Sequence, residues 1–287
     1  MLTIALAKGR TTDDVMPLWT SAGLPKPDGM DESRSLVFHL PAKPAAGVPS
    51  VTYPGAVAPG VTDPSAADPG VADRGTAARV VIAPSAAYPG TGARVVASGA
   101  AARGGATAAN GATLGDTDDA ALRFLLAKPA DVPTYVSFGV ADIGIVGEDV
   151  VLESGREVYE LLDLKKAECR LCVAGRPESR HQPARRVATK YPRLADQYFR
   201  SRGEAVEIIP LGGSIELAAV IGLADRIFDL VQTGGTLVAN GLIVFDEVMN
   251  VSARLVANRS SYRTKRRLID EISARLAESI QERGSWQ

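Results

Sequence analysis

One stretch decides how this chain folds: Asp229-Leu230-Val231-Gln232-Thr233-Gly234-Gly235-Thr236. An alternating polar and apolar segment at 224–228 precedes it and predicts a strand, and 237–242 begins like a short helix. Glycines let the backbone turn tightly and approach a ligand, and the successive N–H groups at a helix start attract anions. The stretch therefore predicts an anion-binding loop, although a Gly-rich turn that merely connects two elements fits the same residues.

Strands and helices alternate on both sides of this loop. Short apolar runs at 2–6 and 121–126 predict strands, and the segment 261–283 predicts a long final helix. One face of that helix is apolar, which indicates core packing: Leu268, Ile269, Ile272, Leu276 and Ile280. The alternation predicts an α/β protein with mostly parallel strands.

Three loops at predicted strand ends carry polar groups: Lys8-Gly9-Arg10, 142–147 and 229–236. In open α/β sheets, ligands bind at the carboxyl ends of the strands, so basic groups near an anion-binding loop suit a polyphosphate or sugar-phosphate substrate. Lys8 and Arg10 are equally compatible with solvated surface charges. A Walker-type loop, a Gly-x-Ser-x-Gly motif and a zinc motif are all missing from the sequence, which argues against those enzyme classes.

The composition changes completely at 42–118, where small residues and proline dominate. Prolines recur every fifth residue from 44 to 69. Because the segment offers almost no large side chain to bury, it cannot offset the entropy of ordering its own backbone. We predict a flexible, low-complexity insertion at 42–118, with a partner-binding arm as the functional alternative.

The net charge and the N-terminal sequence indicate which binding partners and which cellular location to expect. A net charge of -1 over 287 residues gives no overall attraction to nucleic acid or to a membrane surface. No apolar run approaches the ~20 residues that a membrane helix needs. Lys8 and Arg10 follow the first apolar run, whereas a secretory signal has its charges before it. We therefore expect a cytoplasmic protein with no nucleic-acid or membrane partner.

Two cysteines, Cys169 and Cys172, have the C-x-x-C spacing of redox and zinc motifs. Their segment predicts a strand, in which an odd offset directs the two thiols to opposite faces. The sequence has no second Cys or His pair that would complete a metal site. We interpret both as packing cysteines, and we assign no role to His39 and His181.

The chain resembles the ATP phosphoribosyltransferase family, whose members catalyse the first step of histidine biosynthesis. The stretches that match the family occur in the same order along the chain. They cover nearly all of the chain outside 42–118: Leu2–Arg10, Asp131–Gly147, Tyr159–Leu171, Arg186–Pro192, Val206–Leu211, Gly213–Glu216, Gly222–Leu242 and Ser252–Arg259. The resemblance implies transfer of a phosphoribosyl group from phosphoribosyl pyrophosphate to N1 of ATP, with Mg²⁺ and release of pyrophosphate.

The resemblance also implies a fold: two α/β lobes with a cleft between them, like the type II periplasmic-binding-protein fold. Lobe I would comprise 1–41, 119–166 and 251–287, and lobe II would comprise 167–250. The low-complexity insertion would then replace a short connection within lobe I.

Two sets of site residues follow from the resemblance. Phosphoribosyl pyrophosphate would bind to residues of lobe II: Glu216, Asp229, Thr233, Gly234, Gly235 and Thr236. ATP and pyrophosphate would bind to residues of lobe I: Lys8, Gly9, Arg10, Arg34 and Asp142. No general base and no protein ligand for the metal is assigned, since the nucleophile is a ring nitrogen of ATP and the Mg²⁺ comes with the substrate.

The chain ends soon after the last predicted helix, so it resembles the short form of the family, which lacks a regulatory domain. Short-form members work with a regulatory subunit similar to histidyl-tRNA synthetase. The resemblance therefore implies a hetero-octamer that contains homodimers of the catalytic chain. A non-enzymatic solute-binding module of the same two-lobed fold is the chief alternative, and a ligand-binding regulatory domain is the third.

Overall fold

The computed structural model describes residues 1–30, 35–41 and 121–284. The predicted insertion at 42–118 lies outside the described residues, and so does Arg34. The described residues form two α/β lobes, each built on its own sheet.

The first lobe contains a six-stranded sheet with the order β2-β3-β1-β4-β11-β5. The central strand β1 is buried along its whole length, because the neighbouring strands and helices cover both of its faces. The strands are β1 (Leu2–Ala7), β2 (Val37–Leu40), β3 (Leu122–Ala127), β4 (Ile143–Gly147), β5 (Tyr159–Asp163) and β11 (Ala253–Ala257).

Among the described residues, five α-helices belong to this lobe: α1 (Arg10–Ser21), α2 (Val132–Ser137), α3 (Glu148–Ser154), α7 (Arg259–Thr264) and α8 (Arg266–Gly284). The predicted final helix at 261–283 is thus two helices that meet at Lys265. Asn258 starts the first of them, since its side chain accepts hydrogen bonds from the backbone N–H groups of Ser260 and Ser261. Within α8, Ile269, Ile272 and Leu276 are fully buried against the sheet, in agreement with the predicted apolar face.

The second lobe contains a five-stranded sheet with the order β10-β6-β9-β7-β8. Separate hydrophobic clusters cover its two faces, one around Ala188 and Ile227 and one around Phe199 and Phe228. The strands are β6 (Cys169–Gly175), β7 (Arg186–Thr189), β8 (Glu207–Pro210), β9 (Arg226–Val231) and β10 (Ile243–Val251), and the helices are α4 (Pro192–Ser201), α5 (Ile215–Val220) and α6 (Gly235–Ala239).

The prediction of mostly parallel strands is wrong. Each sheet has a parallel centre, β3-β1-β4 in one lobe and β9-β7-β8 in the other, and its remaining pairings are antiparallel. Four of these five antiparallel pairings involve β6 and β11, the strands that follow the two crossings of the chain between the lobes, and the fifth joins β2 to β3 within the first lobe. After each crossing, β6 and β11 run against all of their neighbours. Alternation of helices and strands along the sequence does not reveal such crossings.

The two crossings lie side by side, at 164–168 and at Ser252. Lys165 and Ala167 have positive φ angles of 51° and 52°, which β-carbon-bearing residues rarely adopt. Ser252 donates a hydrogen bond of 2.6 Å to the carboxylate of Asp163, so the two connections are bonded to each other. The guanidinium of Arg254 next to them pairs with Glu148, Glu160 and Asp163.

Candidate active site

A cavity of about 470 Å³ lies between the two lobes. Its wall is made from the carboxyl ends of β1 and β4 in the first lobe and of β7 and β9 in the second, together with both crossings. Its charged wall residues comprise three cations and three carboxylates: Lys8, Arg10, Lys190, Asp149, Glu216 and Asp229. Such a mixed wall can hold a ligand that combines phosphates with sugar hydroxyls.

The loop that dominates the sequence lies in this wall. β9 extends to Val231, so Asp229 lies within the strand and only Gln232–Gly234 form the turn. Gly234 has a φ angle of 80°, a left-handed conformation that favours glycine. Thr233, Gly234 and Thr236 line the cavity. Gly235 is the first residue of α6 and is not among the lining residues.

Asp229 faces the cavity from the end of β9. Burial raises its pKa to about 6, the neighbouring charge of Glu216 acts in the same direction, and a hydrogen bond from the backbone N–H of Leu230 partly offsets the shift. Glu216 reaches the same wall from the first turn of α5. Two adjacent carboxylates are costly to bury unless a ligand satisfies them, which suits sugar hydroxyls or a metal–phosphate complex.

Lys8 and Arg10 follow β1 and line the opposite wall. Arg10 reaches across the cleft, where its Nη1 donates a hydrogen bond of 2.8 Å to Oε1 of Gln232. Gly9, between them, has a φ angle of 101° and is the N-cap of α1. No side chain in the described part of the chain caps α1, and the hydroxyl of Thr12 in its first turn donates a hydrogen bond to the carbonyl of Ala7.

Asp142, which the resemblance assigns to the ATP-binding set, is not among the residues that line the cavity. Its strand begins only at Ile143, so Asp142 lies at the amino end of β4, the end remote from the cleft. There its carboxylate accepts hydrogen bonds from the backbone N–H of Thr3 at 2.7 Å and from Nζ of Lys265 at 2.8 Å. These contacts indicate a structural role that ties β1, β4 and α8 together.

Sequence reasoning did not select Asp149, Lys190 and Tyr191, which lie together in the cavity wall. Tyr191 donates a hydrogen bond of 2.8 Å from Oη to Oδ2 of Asp149, and both side chains are buried. Burial raises the pKa of Asp149 above its ordinary value. All three closely follow the carboxyl end of a strand, β4 for Asp149 and β7 for Lys190 and Tyr191. Because ligands bind at such ends, they could have been found from the sequence by including two more residues after 147 and the residues after β7.

The two cysteines both border the cavity, although their spacing predicted opposite faces. Cys169 is the first residue of β6, where the chain leaves the crossing, so strand alternation does not govern its direction. Both thiols are buried and free, and burial raises the pKa of Cys172 to about 11. They are therefore protonated at neutral pH, as expected of packing cysteines and unlike nucleophilic ones.

A family model described as ATP phosphoribosyltransferase matches residues 128–278. The chain belongs to the ATP phosphoribosyltransferase family. It is 54% identical over 172 residues to an ATP phosphoribosyltransferase of Halalkalibacterium halodurans, covering 59% of this chain and 81% of that relative. It is 54% identical over 163 residues to an ATP phosphoribosyltransferase of Bacillus subtilis, covering 56% of this chain and 76% of that relative.

A solved structure agrees over almost the whole chain. It is described as the ATP phosphoribosyl transferase (HisG:HisZ) complex from Thermotoga maritima, with a TM-score of 0.60 and 25% sequence identity, covering 98% of this chain and 100% of that one. The resemblance found in the sequence is thus confirmed, and so is the predicted activity of a glycosyltransferase in histidine biosynthesis.

Within the described residues, no helix combines the length and the apolar character that a membrane span requires.

Proposed function

We propose that the cleft between the lobes is where this chain performs the reaction of its family. The proposal rests on one observation: residues of both lobes line the same cavity. The second lobe contributes Thr233 and Gly234, and the first lobe contributes Lys8 and Arg10. A phosphorylated sugar held by the loop would thus lie directly opposite a cationic wall, where a second phosphorylated substrate can bind.

The second lobe would bind phosphoribosyl pyrophosphate. The hydroxyls of Thr233 and Thr236 and the N–H groups of the loop are suited to its 5'-phosphate, since the first turn of a helix leaves N–H groups without intrahelical partners. Gly234 and Gly235 keep the backbone accessible there. Asp229 and Glu216 would accept hydrogen bonds from the ribose hydroxyls.

The first lobe would bind ATP and the pyrophosphate group. Lys8 and Arg10 supply positive charge where the leaving group develops negative charge, and Gly9 permits the turn between them. Lys190 adds a third cation from the second lobe. Asp142 is not carried into this proposal because of its place at the far end of β4, and Arg34 lies outside the described residues.

The reaction itself forms a bond between N1 of ATP and the anomeric carbon while the bond from that carbon to pyrophosphate breaks. The nucleophile belongs to ATP, so the protein does not have to supply one. The residues of the cleft would act by holding the two substrates in line and by stabilising the charge that moves onto pyrophosphate.

Mg²⁺ would enter as part of the substrate. Among the residues that the structure describes, no three His, Cys, Asp or Glu side chains are grouped so that they could hold an ion by themselves. Pyrophosphate oxygens bind Mg²⁺ well, and Mg²⁺ usually binds proteins through few carboxylates together with substrate phosphates. We therefore propose that Mg²⁺ arrives bound to phosphoribosyl pyrophosphate and is retained near Asp229.

The direct test is an activity assay in which the chain is incubated with ATP, phosphoribosyl pyrophosphate and Mg²⁺ and phosphoribosyl-ATP is followed by ultraviolet absorbance. We expect product only when all three are present. If no product forms even after addition of a regulatory subunit, a binding module of the same fold replaces the enzyme in our proposal.

We also propose a regulatory partner. The Thermotoga maritima structure is described as a HisG:HisZ complex, and it matches this chain over 98% of its length. By analogy, this chain would assemble with a histidyl-tRNA-synthetase-like subunit into a hetero-octamer built on catalytic homodimers, in the cytoplasm. Co-expression followed by size-exclusion chromatography with light scattering tests this, and separate elution of the two chains would contradict it.

A further inference from the structure

The ends of two helices from different lobes meet beside the cleft. α3 follows β4 in the first lobe and α4 follows β7 in the second. Glu153, in the last turn of α3, accepts two hydrogen bonds from the start of α4: Oε1 from the backbone N–H of Arg193 and Oε2 from that of Leu194, both at 2.9 Å. A carboxylate of one lobe thus caps a helix of the other.

A contact in the opposite direction accompanies this cap. Nη1 of Arg193 donates to the carbonyl of Leu152 in the last turn of α3, at 3.4 Å. The guanidinium lies over Gly155, which ends α3 with a φ angle of 59°. A Cβ on Gly155 would lie 1.6 Å from Nη1 of Arg193, so the guanidinium occupies space that only glycine leaves open.

The charges of this pair match the helix dipoles. Glu153 places a negative charge at the positive N-terminus of α4, and Arg193 places a positive charge at the negative C-terminus of α3. Each helix end therefore receives its complement from the other lobe. We call these two contacts the reciprocal caps.

The reciprocal caps connect directly to the cleft wall. Asp149 lies four residues before Glu153 on the same face of α3, and Tyr191 lies two residues before Arg193. The buried hydrogen bond between Tyr191 and Asp149 therefore continues the same contact into the cavity. Asp149, Lys190 and Tyr191 line the cavity, whereas Glu153 and Arg193 are outside its lining.

We propose that the reciprocal caps are a latch that sets the spacing of the two lobes and thereby positions Asp149, Lys190 and Tyr191 for substrate. Glu153 and Arg193 are positioning residues that touch no substrate. The effect on catalysis rests on the proposed function of the cleft, whereas the effect on lobe spacing does not depend on it.

The lobe spacing can be measured without substrate. Spin labels on cysteines introduced at Arg263 in the first lobe and Glu207 in the second report the distance between exposed sites, and the buried native thiols react slowly. We expect a narrow distance distribution for the parent protein and a broader or longer one for Glu153→Ala. Asp196→Asn is the control, because it removes a carboxylate from α4, the helix that Glu153 caps, and Asp196 pairs with Arg200 of that same helix and not across the lobes. If Glu153→Ala has the same distance distribution as the parent protein, the proposal of a latch is wrong.

A pair of glycine variants tests the other half of the latch. Gly155 and Gly203 both have positive φ angles, 59° and 73°, so an alanine strains the backbone at each, but nothing lies within 4 Å of a Cβ at Gly203. We expect Gly155→Ala to broaden the distance distribution and Gly203→Ala to leave it unchanged. Equal effects of the two variants would mean that Arg193 has no part in the latch, and this comparison remains decisive if Glu153→Ala does not fold.

Kinetics then distinguish positioning from general destabilisation. At a temperature where all variants are folded, we expect Glu153→Ala to lower kcat/KM about tenfold, mainly through KM, because misplaced substrate contacts weaken binding. If the distances change but kcat and KM do not, the latch exists without positioning the substrate site. If the parent protein shows no activity, the proposed function fails while the distance measurement still judges the latch.

Discussion

Arg10 of the first lobe and Gln232 of the second are joined across the cleft by a hydrogen bond of 2.8 Å from Nη1 to Oε1. One partner comes from the basic turn after β1 and the other from the loop after β9 that is predicted to bind anions. The two strand-end loops that the sequence analysis selected separately are therefore in contact. In the proposed function, a substrate phosphate that enters between them would meet a guanidinium already placed beside the loop.

Replacing Arg10 should impair the reaction more than it impairs folding. Arg10 is exposed, so Arg10→Ala should leave the melting temperature nearly unchanged. We expect kcat/KM to fall about 100-fold, since loss of one preorganised hydrogen-bond donor to a developing charge costs that much in other enzymes. Steady-state kinetics with Arg200→Ala, an exposed arginine that pairs within α4, supply the comparison. Equal activity of the two variants would remove Arg10 from the site.

The raised pKa of Asp229 predicts a dependence on pH. With a folded pKa of about 6 against an ordinary 3.8, the folded protein holds this proton more tightly than the unfolded chain. The free energy of unfolding should therefore decline as pH rises from about 4 to about 6, by the contribution of this one group. Chemical denaturation of the substrate-free protein at several pH values measures the slope, which Asp229→Asn should reduce.

Catalytic efficiency should rise with pH over the range in which the free energy of unfolding declines. In the proposed function the carboxylate of Asp229 accepts hydrogen bonds from ribose, so kcat/KM for phosphoribosyl pyrophosphate should fall below a pH of about 6. The profile of Asp229→Asn should lie lower and lack this limb. An unchanged acidic limb in that variant would assign the titration to another group.

Asp142 should matter for stability and not for catalysis. Burial acts to raise its pKa, but the hydrogen bonds from Lys265, Ser261 and Thr3 outweigh it and lower the pKa, so its contribution to stability is lost as pH falls through that lowered value. Asp142→Ala leaves the buried N–H of Thr3 without its partner, and we expect a loss of about 1–3 kcal/mol in the free energy of unfolding. Urea denaturation measures this. A large loss of kcat/KM in fully folded protein would restore Asp142 to the active site.

The features that the sequence predicted correctly are those determined by residues close together in the sequence. The turn at Gly234, the buried strand β1 and the apolar face of α8 each follow from residues adjacent in sequence or related by a fixed period. The resemblance to a known family added the two-lobed architecture, which periodicity alone did not contain.

Long-range contacts account for the rest. Tyr191 meets Asp149 over 42 positions of sequence, and Glu153 meets the start of α4 over 40, so neither pair has a local signal. Four of the five antiparallel pairings come from the strands that follow the crossings between the lobes. Asp142 directly precedes Ile143, the first residue of β4, and therefore lies at the amino end of that strand. Element boundaries of this kind depend on packing in three dimensions.

The account depends most on the loop at 229–236, and phosphorus NMR of phosphoribosyl pyrophosphate with Mg²⁺ tests it most directly. On addition of the parent protein, the 5'-phosphate resonance should shift or broaden with saturation, as the proximity of Thr233 and Thr236 to the cavity requires. Asp229→Ala and Thr236→Val should weaken this binding about tenfold or more, a loss typical of hydrogen bonds to charged groups. If both variants bind phosphoribosyl pyrophosphate as the parent does, the loop does not hold the sugar phosphate.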